Sequence, residues 1–144
     1  MLIRRMTLED IPAVVEIEKA CFSLPWSEKS FEDSLSREDT VFLVCLEDEC
    51  VTGYMGLYLS FDEASVTNVA VSPEFRKKGY GEALVTTAKD SAKEAGAGSI
   101  FLEVRQSNVP ALSLYKKLGF EELGIRKKFY EHPVEDAIIM KVGI

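Results

Sequence analysis

Three features of the chain have residue types and spacing that could do chemistry: the run Arg76-Lys77-Lys78-Gly79-Tyr80-Gly81, the lone acid Glu103 in an apolar run, and Tyr115. The run follows a strand-like segment, Val66 to Val71, and opens a helix-like one, Glu82 to Glu94. A basic, glycine-punctuated turn at a helix N-terminus aims several backbone N–H groups at one point, which holds a phosphate without committing a side chain. The helix dipole adds about 0.3 to 1 kcal/mol. The string is neither G-x-G-x-x-G nor a P-loop ending in Gly-Lys-Ser/Thr, so a phosphorylated ligand held by amides fits it better than a dinucleotide. Taken alone, it also fits a tight solvent-facing turn.

Glu103 lies in Ile100-Phe101-Leu102-Glu103-Val104 and shares a face with Phe101, with Leu102 and Val104 on the other. A carboxylate there costs desolvation unless it is paired, hydrogen-bonded or used, and partial burial would lift it from about 4.3 toward the range of a general base. We place Arg105 on the opposite side and so exclude it as the partner. A structural polar contact and a catalytic base both fit. Tyr115, with Leu112 three before it and Leu118 three after, lies on or beside an inward helical stripe. It is either a core tyrosine whose hydroxyl finds a partner or a proton donor at the tip of a rigid helix. Asn108, at the start of that helix, fits an N-cap or an amide turned toward a cofactor. Trp26 beside Pro25 and Tyr130 beside Phe129 are candidate walls of a substrate pocket. His132 is the only histidine, which leaves neither a triad nor a zinc site, and Cys21, Cys45 and Cys50 read as reduced thiols, so no metal is expected.

The elements that must position these groups follow from period and punctuation. Leu2 to Met6 reads as a strand, and Asp10 caps a helix running to about Ala20 with Pro12 in its first turn. Pro25 breaks the chain before Ser27 caps a short helix whose inward residues are Phe31 and Leu35. Val41 to Leu46 and Val51 to Tyr58 form a hairpin about Glu47-Asp48-Glu49, and Glu63 to Val71 adds a third strand. A helix stopped by Gly96, the strand Ser99 to Val104, a helix from Asn108 to Leu118 ended by Gly119, and strands Glu121 to Phe129 and Glu135 to Val142 complete the chain. This order predicts an α/β fold: one domain with a mixed central sheet of about seven strands and helices on both faces.

Composition narrows the partners. At 144 residues there is room for one domain, and 47% hydrophobic with 28% charged residues is the balance of a globular protein. The net charge of -7 argues against direct nucleic-acid binding and permits a basic partner. No apolar run approaches eighteen residues and no leader-like h-region is present, so no membrane binding and a cytoplasmic location are expected. A monomer is expected because no obvious large apolar surface stripe is left over after the core assignments.

Val69-Ala70-Val71-Ser72-Pro73-Glu74-Phe75-Arg76-Lys77-Lys78-Gly79-Tyr80-Gly81-Glu82-Ala83-Leu84 closely resembles the acetyl-CoA motif of the GNAT family of N-acetyltransferases. Leu102-Glu103-Val104-Arg105, Asn108 with Ala111, and Leu114 to Phe120 look like its second cofactor-side segment, so the resemblance spans nearly the whole chain. Phe22-Ser23, Pro25-Trp26-Ser27 and Glu135 to Met140 are similar to the members that acetylate the N-terminal alanine of small-subunit ribosomal protein 18. The resemblance implies a splayed sheet with acetyl-CoA as donor, Val69, Ala70 and Val71 beside its thioester, the backbone of Lys77, Lys78, Gly79, Tyr80, Gly81 and Glu82 around its pyrophosphate, and Asn108 near its pantetheine arm. It implies Glu103 as general base, Tyr115 as general acid, and a basic protein N-terminal peptide as acceptor. Transfer to another N-terminus, a lysine or a small amine is the alternative activity. A non-catalytic coenzyme A module is the alternative of a different class. Leu24 between Ser23 and Pro25, and the short connector Glu131-His132-Pro133-Val134, depart from the family pattern.

Overall fold

Every residue from Val41 to Leu46 is buried, although a strand sends successive side chains to opposite faces. Such a strand needs cover on both sides. The computed structural model, which describes all 144 residues, supplies it. Strands β1 (Leu2–Arg5), β2 (Thr40–Glu47), β3 (Cys50–Ser60), β4 (Glu63–Val71), β5 (Ser99–Arg105), β6 (Glu121–Tyr130) and β7 (Glu135–Gly143) form one sheet in the order β1-β2-β3-β4-β5-β7-β6. All neighbours are antiparallel except β4 and β5. This is the mixed seven-stranded sheet that the sequence predicts.

Helices α1 (Ile11–Cys21) and α2 (Glu28–Leu35) cover one face, and α3 (Tyr80–Glu94) and α4 (Val109–Lys117) cover the other. The alternation in β2 divides the two cores: Val41, Leu43 and Cys45 pack with Leu84, Val85 and Ala88 of α3, whereas Phe42, Val44 and Leu46 pack with Val14, Ile17 and Phe31. Tyr115 brings α4 into the first cluster.

Ser27 caps α2 as expected, its Oγ accepting the Ser30 N–H at 3.2 Å. Asp10 does not cap α1 with its side chain. Its carboxylate instead accepts two bonds from the Arg4 guanidinium, at 2.7 and 2.9 Å, and the Thr7 N–H at 2.8 Å, because a charged partner on β1 outcompetes a helix amide. The acid closes a single 3-10 turn, Leu8–Asp10, and ties it to the first strand. The edge strand β6 is exposed along nearly all its length, and its alternate residues Leu123 and Ile125 are more than half exposed.

Candidate active site

Strands β4 and β5 are in parallel register only through Glu63↔Ser99, Ala64↔Ile100 and Ser65↔Phe101. Beyond that, β4 stays paired to β3 as far as Val71↔Gly53, and β5 to β7 as far as Arg105↔Ala137. The inner edges of the two strands therefore diverge into a wedge. The local cause is a bulge: Gly56 pairs with Asn68 and Leu57 with Val66, leaving Thr67 as an extra residue in β4. A bulge bends its strand and sharpens its twist. It also reverses the alternation, so Ala64 and Val66 before it and Val69 and Val71 after it all pack toward α3. Ala70 turns to the other core. Backbone groups of Asn68 to Val71 on the wedge side have no neighbouring strand, which suits an extended chain bearing amides.

The wedge opens at the carboxyl ends of the two parallel strands, where ligands of α/β sheets collect. Helix α3 follows β4 there, and α4 follows β5. The sequence suggests that α3 starts near Glu82, but it starts at Tyr80, so Tyr80, Gly81 and Glu82 form its first turn and Gly79 is the N-cap. Gly79 has φ 87°, a conformation glycine takes freely, and it has no side chain with which to cap. The first amides of α3 thus have neither an intrahelical acceptor nor a cap. Helices α2 and α4 are capped by Ser27 and by Asn108, whose Oδ1 accepts the Ala111 N–H at 3.3 Å. The side chains beside the bare amides are already engaged. The Tyr80 ring is buried, with its hydroxyl 3.4 Å from Glu47, the Glu82 carboxylate pairs with Lys117 at 3.0 Å, and the Lys78 ammonium lies 5.6 Å from the Phe75 ring centroid. What Tyr80 and Glu82 present to a ligand is backbone.

Leu102 and Val104 are buried toward α3 and α4, which sends Glu103 to the opposite face of β5. No buried side-chain oxygen or nitrogen in the protein lacks a partner. The Glu103 carboxylate has none, so it is in reach of solvent and uncommitted. Arg105 is two residues on and therefore shares the face of Glu103, contrary to our placement. What keeps it from Glu103 is competition: its guanidinium lies 4.4 Å from the Tyr130 ring centroid, 3.3 Å from Glu135 and 3.0 Å from the Pro133 carbonyl oxygen.

Tyr115 is buried, its ring 5.4 Å from that of Phe120. Its hydroxyl finds no protein partner, unlike that of an ordinary core tyrosine, and by the same reasoning reaches solvent. Burial, and then the neighbouring Tyr130, push that hydroxyl above the usual phenol value, so it keeps its proton at neutral pH. Burial, followed by the charge of Glu103, pushes Tyr130 up to about 12. Tyr130 thus stands within electrostatic reach of both Glu103 and Tyr115. Glu103 and Tyr115 themselves lie on opposite faces of β5. Trp26 packs on the α1/α2 core, its ring 5.2 Å from Phe31 and 6.2 Å from Phe42. Sequence reasoning missed Glu18, which is 2% exposed on α1 and bonded to the Trp26 backbone. The signal was present: Ile11, Val14, Val15 and Glu18 fall on one helical stripe, so a charge occupies an apolar position.

The chain matches the acetyltransferase (GNAT) family over residues 11–120. It is 36% identical over 141 residues to a [ribosomal protein bS18]-alanine N-acetyltransferase of Salmonella typhimurium, covering 96% of this chain and 95% of that one. The crystal structure of the ribosomal-protein-S18-alanine N-acetyltransferase from Escherichia coli superposes with a TM-score of 0.91 at 34% identity, covering 99% of this chain and 93% of that one. Ard1 from Thermoplasma volcanium superposes at 0.90 with 27% identity, covering 99% and 97%. Acetyl-CoA carries a pyrophosphate and an arm with two amides, and the bare start of α3 and the unpaired inner edge of β4 are chemically matched to those parts. On these grounds the chain belongs to the GNAT family and is an acetyl-CoA-dependent acetyltransferase.

Proposed function

We propose that the protein acetylates the N-terminal α-amine of the alanine that begins ribosomal protein bS18, in the cytoplasm. The full-length similarity to the Salmonella typhimurium enzyme supports this acceptor. The observation that carries the chemistry is the uncommitted Glu103 beside the wedge.

Acetyl-CoA supplies the activated acetyl carbonyl. The backbone of Lys77, Lys78, Gly79, Tyr80, Gly81 and Glu82 holds the pyrophosphate, Asn108 and the edge of Val69, Ala70 and Val71 hold the arm, and a backbone N–H of that edge stabilises the oxyanion. Glu103, directly or through one water, takes the proton from the attacking amine. The task is light, because an α-amine titrates at about 7.7 to 8.0 against about 10.4 for lysine. Tyr115 gives its proton to the departing sulfur. Tyr130 and Trp26 border the acceptor, and a net charge of -7 steers a basic peptide inward.

The test is the initial rate of acetyl transfer to an alanine-start basic peptide, against free lysine, a polyamine and peptides altered at residue one. The alanine-start peptide is expected to be fastest. Equal rates for that peptide and the free amines would overturn the assignment.

A further inference from the structure

Two carboxylates are buried; Asp10 closes the turn before α1, and Glu18 has no task in the mechanism above. Glu18, on the inward stripe of α1, accepts hydrogen bonds from three donors: the Trp26 backbone N–H at 2.8 Å, the Tyr54 hydroxyl, and Asn68 Nδ2 at 3.4 Å. The donors come from three parts of the fold: the α1–α2 connection, β3, and β4 one residue before Val69. A buried acid costs several kcal/mol of desolvation unless its oxygens are filled, and here both are. Burial pushes the Tyr54 hydroxyl up, and its bond to Glu18 and then the charge of Glu18 push it further.

The connection that Glu18 holds is anchored at both ends and exposed between them. At its start, the Cys21 thiol donates to the Val71 carbonyl oxygen at 3.6 Å, and Arg76 Nη2 donates to the Cys21 sulfur at 3.2 Å while Arg76 Nε donates to the same carbonyl. At its end, Glu18 holds the Trp26 N–H and the Trp26 ring packs on Phe31 and Phe42. Between these points Phe22, Ser23, Leu24 and Pro25 are exposed, with Leu24 at 62%. None of them is needed to fill the core. The connection belongs to the α1/α2 face, the face to which β5 sends Glu103, and it is anchored where β4 bounds the wedge.

We infer that Glu18 is a positioning residue for acceptor recognition. It tethers the Phe22–Trp26 connection to β3 and β4, so that Phe22 and Leu24 stand as a fixed apolar lip against the first residues of the incoming peptide. Loss of the tether weakens peptide binding and leaves the proton transfers of Glu103 and Tyr115 and the amides of α3 in place. The inference rests on the proposed peptide acceptor, but its structural half is independent of it, because Trp26 is the only tryptophan of the chain and reports the tether directly.

The experiment compares wild type with Glu18→Met, which keeps the volume and removes the acceptor, and with Glu18→Met/Tyr54→Phe, which also removes the stranded hydroxyl. Peptide KM, kcat, coenzyme A affinity, and the emission maximum and acrylamide quenching of Trp26 are measured on each. Both variants are expected to raise peptide KM roughly tenfold or more, the cost of one lost bond to a charged acceptor. Changes in kcat and coenzyme A affinity stay within about twofold of wild type, the spread of additive, uncoupled sites. Trp26 emission shifts red and becomes easier to quench. Should the single variant not fold, the double variant carries the same expectation. Unchanged Trp26 emission in a folded variant, or a peptide KM equal to wild type, overturns the inference, as does a parallel loss of coenzyme A affinity. A wild-type protein inactive on every peptide would overturn the proposed function instead, and the emission shift would still decide whether the tether exists.

Discussion

The Arg105 guanidinium carbon lies 4.4 Å from the centroid of the Tyr130 ring, clamped there by Glu135 at 3.3 Å and by the Pro133 carbonyl oxygen at 3.0 Å. Glu103, two residues earlier on the same face of β5, is thereby left without a cation. A second bond, from the Ser107 N–H to Glu135 at 2.5 Å, fixes the other side of the clamp and is the main reason that Glu135 titrates below the usual carboxylate value. The β6–β7 connector and the aromatic ring beside Glu103 are therefore held by one ion pair.

Arg105→Lys keeps the charge and loses the planar stack and fork. A stack of this kind is worth about 0.5 to 2 kcal/mol, so peptide KM should rise by roughly two- to thirty-fold with little change in coenzyme A affinity. Steady-state kinetics over peptide concentration checks this, and a variant with unchanged KM would remove Tyr130 from the acceptor site.

Glu103→Gln should lower turnover at neutral pH by about 10² to 10⁴, the range of a lost general base, while coenzyme A affinity stays close to wild type. The deficit should shrink as pH rises through about 8, where an α-amine deprotonates unaided. Rate profiles between pH 6 and 9.5 decide the matter. Wild-type turnover at neutral pH would end the assignment.

Tyr115→Phe should slow single-turnover transfer by about 10² or more and leave the far-UV spectrum intact. In the wild type the raised phenol keeps its proton past pH 10, so the alkaline limb of the rate profile should not arise from this residue. The same shift has a stability consequence. Tyr54, Tyr80, Tyr115 and Tyr130 all titrate above their unfolded value of 10.0, so their contribution is complete below pH 10 and declines as pH rises above it. Phenolate absorbance recorded against native circular dichroism should show late ionisation coupled to unfolding.

Gly79→Ala puts a Cβ into open space, with no atom within 4 Å, but at φ 87°. The cost is conformational, about 1 to 2 kcal/mol, and appears in thermal denaturation without coenzyme A. Gly81→Ala brings its Cβ to 3.4 Å from Leu114 Cδ2, an ordinary contact, so the apo fold should tolerate it. A loss of coenzyme A affinity in that variant would measure crowding at the pyrophosphate. Equal affinity would show that the ligand passes elsewhere.

Asp10→Asn should destabilise the protein by about 1 to 3 kcal/mol at neutral pH by removing a charge-assisted bond in a nearly buried site. Its carboxyl is held below the usual 3.8, chiefly by Arg4. For a depressed acid the contribution is complete above 3.8 and is lost as pH falls through the lower folded value. The wild-type advantage measured by urea titration should therefore disappear under strongly acid conditions and persist above pH 4.

Several local features could be read without the fold. Ser27 and Asn108 are short polar residues before helical periodicity, and both cap as such residues do. Gly119, at φ 95°, ends α4 where a residue without Cβ is favoured. Asp10 misled because a cap is chosen by competition, and Arg4 is a stronger partner than a helix amide. The start of α3 misled for a related reason: Gly79 and Gly81 read as a turn, while the tertiary structure winds Tyr80 and Gly81 into the helix and leaves its first amides bare.

The sequence by itself determined the order of elements, the caps of α2 and α4 and the identity of Glu103 and Tyr115 as unusual residues, because period, caps and charge in an apolar run are local properties. Tertiary structure alone decided the rest. The extra residue Thr67 exists only as a mismatch with Gly56 and Leu57, so the bend that opens β4 from β5 has no signature in β4. Arg105 is withheld from Glu103 by Glu135, thirty positions away, and Glu18 is satisfied by donors from three separate segments. Which partner a charge takes is set by distance and burial, and those come into being only when the sheet closes.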